Sequence, residues 1–389
     1  MRRKVLKIHP KDNVIVALDN LAEGERVEWE GQTYTLQHDI PAKHKFVTED
    51  IPEGGKVYMY GVLVGKATQP ISRGAAIAVN NLKHSADDFS LGQRNTDWQA
   101  PDVSHWQERS FMGYHRHNGQ VGVANYWLFI PLVFCENRNI NLIREAMVKE
   151  LGYDRTRSVD FDIKSLLSKH QQGASSDDLL STEIVVTAEE MQNKRAFPNV
   201  DGIKFLTHEG GCGGTREDSN VLCSLFAGYI THPNVAGATV LSLGCQNAED
   251  KILLEEIKKR DPSFSKPLYI LEQQKSKSER DFISEAIKKT FVGLTEVNKI
   301  ERQPAPLSKI TLGLECGGSD GFSGISANPA VGHAADLLVA LGGSVILSEF
   351  PELNGVEQEL TDRCVDDATA EKFIRIMRAY SASAEAVGS

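Results

Sequence analysis

Residues 203–230 read IKFLTHEGGCGGTREDSNVLCSLFAGYI, and this stretch decides the fold. An apolar run, Ile203 to Thr207, is too short for a helix and stops at a glycine-rich turn. A helical pattern, Asn220 to Ile230, comes next, so strand, turn and helix follow one another as in half of a βαβ unit. Outward from here the same alternation runs from Phe111 to the end of the chain. Buried strands are predicted at Trp127–Phe134, Ile203–Thr207, Thr239–Leu243, Leu268–Leu271, Ile310–Leu314 and Ser344–Ser348. Helical patterns fall between or after them at Ile140–Leu151, Asn220–Ile230, Asp250–Arg260, Ser278–Thr290, Ala330–Leu341 and Ala368–Tyr380. Such alternation marks an α/β fold with a mostly parallel sheet and helices on its faces.

Upstream the pattern differs. Short strands punctuated by turns are predicted at Val14–Leu18, Arg26–Trp29, Gln32–Leu36, Lys45–Thr48, Lys56–Tyr60 and Val62–Lys66, which makes residues 1–84 a small β domain. Residues 85–110 turn polar and lose hydrophobic periodicity, as a linker does. Residues 111–300 read as an α/β domain. Residues 301–389 read as a further α/β segment, the start of a C-terminal catalytic region that the chain does not complete. A polar insertion at 152–199 is expected to hold one amphipathic helix.

The 389 residues carry 41% hydrophobic and 25% charged side chains, the balance of a globular protein of more than one domain. The longest strongly apolar run, Tyr126–Phe134, falls far short of the roughly 20 residues that cross a bilayer. Arg2, Arg3, Lys4 and Lys7 precede no apolar run of signal-peptide length, so a cytoplasmic location without a membrane partner is expected. A net charge of −10 argues against a nucleic-acid partner, whose phosphates demand clustered Lys and Arg. A small anion bound in a local cationic pocket is compatible with it. The six cysteines are scattered, without close pairs, as in a reduced protein.

Reactive residues gather where strands are predicted to end. Cys135 and Glu136 follow Phe134; His208, Glu209 and Cys212 follow Thr207; Cys245 and Gln246 follow Gly244; Glu315, Cys316, Ser319 and Asp320 close another strand; and Glu349 follows Ser348. In an open parallel sheet, ligands bind outside the carboxyl ends of the strands, so these groups are expected at one rim. Thiolates and imidazole suit a transition metal, carboxylates complete its shell or move protons, and glycines admit an anion to backbone N–H groups. Cys223 and Cys364 sit inside helical patterns and read as small buried hydrophobes. Arg116, in the loop GYHRHNGQVGVAN, offers a bidentate anchor for a carboxylate.

Taken together, HPKDNVIVAL, HDIPAKHKF, YGVLVGKA, NGQVGVAN, HEGGCG, LSLGCQNAED, GLECGGSDGFSGISANPAVG and SVILSEFPELNGVEQEL, in this order, resemble the altronate and galactarate dehydratase family. The resemblance covers most of the chain. It implies that the β domain is of the SAF type and that the activity is a hydro-lyase acting on an aldonic or aldaric acid, assisted by iron(II) or manganese. With altronate the product would be 2-dehydro-3-deoxygluconate, by loss of the C2 proton and the C3 hydroxyl. Galactarate or another 2,3-dihydroxy acid is the alternative substrate, and a non-catalytic sugar-acid-binding fragment the alternative role. A homo-oligomer is compatible with either.

By motif, Cys135, Cys212, Cys245 and Cys316 with Glu349 are the implied metal ligands. The implied catalytic groups are His208, Glu209 and Asp320, with His208 or Glu209 as the base. His44, Arg116, Asn125, Ser319 and Asn328 are implied in substrate binding. A further reading makes Cys212 a nucleophile beside His208. The chain departs from the family in Ala124, where Arg or Lys is usual, and in Gln246, where Glu is usual; family chains also continue well past the last residue here.

Overall fold

The computed structural model describes residues 3–154, 159–187, 195–315, 317 and 321–388. The chain divides into two compact units, Met1–Glu108 with Ile310–Ser389, and Arg109–Lys309.

The first unit begins with antiparallel strands. β1 (Val5–Leu6), β2 (Val14–Ala17), β5 (Lys45–Val47) and β8 (Ala76–Ile77) form one sheet, β3 (Arg26–Trp29) and β4 (Gln32–Thr35) a hairpin, and β6 (Lys56–Met59), β7 (Val62–Ala67) and β9 (Leu82–His84) a second sheet. The VIVA run of β2 is buried at every position. Successive side chains of a strand point to opposite faces, so alternate residues feed two cores. Ile15 and Ala17 pack with Phe46, Val27, Tyr34 and Leu36. Val14 and Val16 pack with Val47, Val57, Met59 and Ala67.

The second unit contains a doubly wound sheet. Its strands β12 (Tyr126–Pro131), β15 (Gly202–Phe205), β16 (Val235–Ser242) and β17 (Leu268–Glu272) pair in parallel in the order β15-β12-β16-β17. Trp127 and Phe129 of β12 meet Ile140, Ile143 and Met147 of α1 (Asn137–Met147) and Phe282, Ala286 and Leu294 of α6 (Glu279–Val297) on one face. Leu128 and Ile130 meet Phe226 and Ile230 of α4 (Arg216–Thr231) and Leu253 and Ile257 of α5 (Asp250–Arg260) on the other. A strand covered on both faces reads as an unbroken apolar run, which is why β12 was legible. β16 starts at Val235 rather than Thr239. Its first half, VAGA, has little strand propensity, yet Gly237 is required: a Cβ there would come within 2.5 Å of the Trp127 ring.

The polar insertion holds more than the single helix expected. It contains α2 (Ile163–Gln171), α3 (Ser176–Leu180) and a two-stranded antiparallel pair, β13 (Val159–Phe161) with β14 (Val185–Thr187). The unit is completed by β10 (Ser110–His115), flanked by β11 (Val121–Gly122) and β18 (Gln303–Pro306).

The chain then returns to the first unit. β19 (Thr311–Leu314) and β20 (Ser344–Leu347) lie parallel, joined through α7 (Ala327–Ala340), and form a two-stranded sheet of their own. The expectation of a single sheet with a single rim is therefore corrected, because an apolar run shows that a strand exists but not which strand it pairs with. α7 buries none of its residues. Much of the stretch read as a linker is strapped to α8 (Glu357–Asp362) and α9 (Asp367–Ala386). Ser90 bonds Gln358, Arg94 donates to the Thr361 carbonyl and to Asp367 at 2.6 Å each, and Arg378 donates to the Phe89 carbonyl at 2.9 Å. Among the described residues no helix is long and apolar enough to cross a membrane.

Candidate functional site

In the second unit the chain order reverses between β12 and β16, and crevices at the carboxyl end of such a switch point bind ligands. Three loops meet there. The HEGGCG loop after β15 lies across the end of β12. Its Gly210 carbonyl accepts from Phe134 N at 3.0 Å, and its Gly211 carbonyl accepts from Asn247 N at 3.0 Å and Ala248 N at 3.3 Å. Gly211 sits at φ +93°, where a Cβ would be 2.1 Å from the Leu132 carbonyl oxygen, so only glycine fits. Cys212 follows this junction directly, and Cys135 and Cys245 lie one residue past Phe134 and two before Asn247. All three thiols are exposed.

Helices α1, α4 and α5 begin just after these loops, which turns three positive helix ends toward the rim. The start of α4 is fixed by a capping box between Thr215 and Asp218. The Thr215 backbone N–H and hydroxyl hold the Asp218 carboxyl below its ordinary range. Gln246 braces its own loop: it accepts from Gly244 N at 2.8 Å and donates to the Ser242 hydroxyl at 2.6 Å. Glu136 and Asp250 flank these loops, each with one buried carboxyl oxygen lacking a partner, and burial raises the pKa of both.

His208 is committed. Gly210 N donates to Nδ1 at 2.9 Å, so Nδ1 carries no proton, and Nε2–H donates to the Pro131 carbonyl at 2.7 Å. Both ring nitrogens are thus engaged by backbone groups. Glu209 is exposed and has no hydrogen bond or ion pair among the described residues.

Arg116 and Asn125 lie at the other end of the sheet, before β12. Arg116 is 9% exposed, and Nε donates to the Pro233 carbonyl at 2.7 Å while Nη2 donates to Asn125 Oδ1 at 2.9 Å and to the Ala124 carbonyl at 3.3 Å. Burial pushes its pKa down to about 10. Asn125 is fully buried and donates to the Asn199 and Val297 carbonyls. The polar atoms of both are engaged in holding loops together.

In the first unit the HDIPAKHKF turn meets the loop after β19, some 280 residues away in sequence. A cavity of about 610 Å³ is lined by Lys43, His44, Lys45, His84, Gly321 and aliphatic side chains including Val57, Met59, Val64, Ile77 and Leu82. Lys43 adopts φ +77°, a region that non-glycine residues avoid without local compensation. A Cβ on Gly321 would lie 2.6 Å from the Lys43 Cβ, and the Lys43 ammonium sits 5.1 Å from the Phe322 ring centroid. His44 thus lines a cavity. Lys45 was missed; its signal was a lysine entering an otherwise apolar strand, KFV. Asn328 is exposed in the first turn of α7, and Glu349 is exposed at φ +57° after β20. Cys316, Ser319 and Asp320 lie outside the described residues.

Among the described residues no three His, Cys, Asp or Glu side chains are grouped so as to hold a metal ion. Cys135, Cys212 and Cys245 of the second unit therefore do not by themselves assemble the ligand set implied by sequence.

The chain thus combines a doubly wound sheet, with acidic and thiol groups on its carboxyl-edge loops, and a β unit with a lysine-lined cavity. The chain belongs to the altronate/galactarate dehydratase family: residues 3–85 match its SAF domain, 113–298 its second domain and 307–389 its C-terminal region. It is 30% identical to altronate dehydratase of Escherichia coli (strain K12) over 375 residues, covering 96% of this chain and 66% of that protein. It is 30% identical to altronate dehydratase of Bacillus subtilis (strain 168), over 97% of this chain and 66% of that protein. Identity to the L-threo-forming galactarate dehydratase of Escherichia coli (strain K12) is 26%, over 96% of this chain and 64% of that protein. The chain thus spans just under two thirds of the length of these relatives.

Proposed function

We propose that the chain carries sugar-acid dehydratase chemistry, with D-altronate as substrate and 2-dehydro-3-deoxy-D-gluconate as product. The observation that carries this reading is the meeting of the HDIPAKHKF turn and the loop after β19 at one lysine-lined cavity, since each is a motif of the dehydratase family. The reaction breaks the C2–H bond, expels the C3 hydroxyl as water and leaves an enol that ketonises. It needs an anchor for the carboxylate, a proton acceptor and help for the departing hydroxyl. The lysines of the cavity answer the first need. Iron(II) or manganese, which the resemblance implies, enters as a condition of the assay.

The test is keto-acid formation by the purified chain from D-altronate and from galactarate, each with added iron(II), with manganese and with neither. Faster conversion of altronate is expected. Conversion of galactarate alone would reject the substrate, and conversion of neither acid by folded protein would reject the reaction.

A further inference from the structure

The cavity of the first unit contains a charge that no described residue answers. Lys45 is half-buried, and its strand β5 is hydrogen-bonded between β2 and β8, with Val16 and Ile77 as its neighbours. Among the described residues its ammonium has no hydrogen bond and no ion pair. Burial alone lowers its pKa from the ordinary lysine value. Half-buried cations without a partner are costly, so a fold that keeps one at a cavity wall is prepared for an anion. Lys43 lies two residues away on the same turn, and these two are the fixed charges of the described lining. Elsewhere the wall is largely aliphatic, with Val14, Val57, Met59, Val64, Ile77 and Leu82.

We propose that this cavity takes a single carboxylate on the Lys45 ammonium and selects acids charged at one end only, aldonates over aldarates. A carbon chain can lay its C–H faces on the aliphatic wall and keep its hydroxyls toward the open mouth. Lys43 and Lys45 both belong to one turn, so a second terminal carboxylate at the far end of the carbon chain would be stripped of water against the aliphatic wall, where the described lining holds no cation to receive it. Selection by an unpaired, desolvated group is the strongest form available to a small pocket. The identity of the acid rests on the dehydratase reading; the demand for an anion at Lys45 does not.

Calorimetric titration of the full chain with D-altronate and with galactarate tests this in wild type, Lys45→Met and Lys45→Arg. Wild type is expected to bind altronate at least about tenfold more tightly than galactarate, and Lys45→Met to lose at least about tenfold, the weight of one charge-assisted hydrogen bond. Lys45→Arg is expected to keep most of the affinity. Lys45→Met is also expected to melt at the wild-type temperature or above it, because an unpaired cation is gone, which separates lost binding from lost folding. Equal altronate affinity in wild type and Lys45→Met, equal affinity for the two acids, or no binding by wild type each overturns the proposal. Lys45-dependent binding without keto-acid formation would sink the dehydratase reading and leave this site standing. Turnover indifferent to Lys45→Met would do the reverse.

Discussion

Replacing Gly211 with alanine tests whether the loop junction holds the rim of the second unit together. The new Cβ would sit 2.1 Å from the Leu132 carbonyl oxygen and 2.8 Å from the Val133 Cα, well inside van der Waals contact with backbone that cannot swing away. At φ +93° an L-residue also carries backbone strain of about 1–2 kcal/mol. Relief requires the HEGGCG loop to lift. That lifting stretches the bonds from Phe134 N to the Gly210 carbonyl and from Asn247 N and Ala248 N to the Gly211 carbonyl, each worth about 1 kcal/mol. Together these give an expected loss of about 3–5 kcal/mol. Urea unfolding measures it as a lower midpoint at unchanged slope. Peptide-resolved alkylation should show Cys212 reacting at a changed rate, while Cys364 in the first unit reacts as before. A loss below about 1 kcal/mol with unaltered Cys212 labelling would refute the reasoning, because the junction would then be yielding rather than fixed.

Arg116→Met should cost about 3–5 kcal/mol, since it strands the Pro233 carbonyl and Asn125 Oδ1 in a buried setting; altronate affinity of the folded protein should not change, and a selective loss of binding would restore Arg116 as a substrate anchor. Lys266 donates to the Ile230, Thr231 and His232 carbonyls at 3.1, 3.0 and 2.7 Å, closing the C-terminal end of α4, so Lys266→Met should lower stability by about 2–4 kcal/mol in urea unfolding. Lys45 gives a pH signature. Its folded pKa lies below the ordinary 10.5, so between the two values the unfolded chain holds the extra proton and stability rises with pH. The advantage of Lys45→Met over wild type should therefore be full near neutrality and shrink as pH approaches 10.5, as followed by thermal melting; an advantage constant with pH would contradict it.

Much of this architecture was legible because burial on two faces leaves a plain mark. β12 and β16 lie under helices on both sides, and β2 lies between two cores, so all three read as apolar runs. Pairing left no such mark. Nothing in TLGL or SVIL distinguishes strands that extend a larger sheet from strands that pair only with each other. At the site, glycines and cysteines after strand ends did point to the carboxyl edge. What they could not show was hydrogen-bond commitment: His208 looks free in sequence, and only the Gly210 N–H and the Pro131 carbonyl reveal that both nitrogens are occupied. Arg116 hides its commitments in the same way, since a buried arginine satisfied by carbonyls and one awaiting a ligand share one letter. Lys45 was passed over because an exposed strand lysine is commonplace and its half-burial depends on side chains far away in sequence.

The second unit is threaded as one insertion into the first, whose pieces run to Glu108 and resume at Ile310. Synthesis proceeds from the N-terminus, so the inserted unit can collapse on its own sheet while residues 89–95 of its host still wait for partners. Phe89 and Arg94 have nothing to grip until α8 and α9 emerge from the ribosome. The strands of residues 5–84 close their own two cores without those helices, so the contacts of residues 89–95 are the part of the first unit that must wait for the end of the chain.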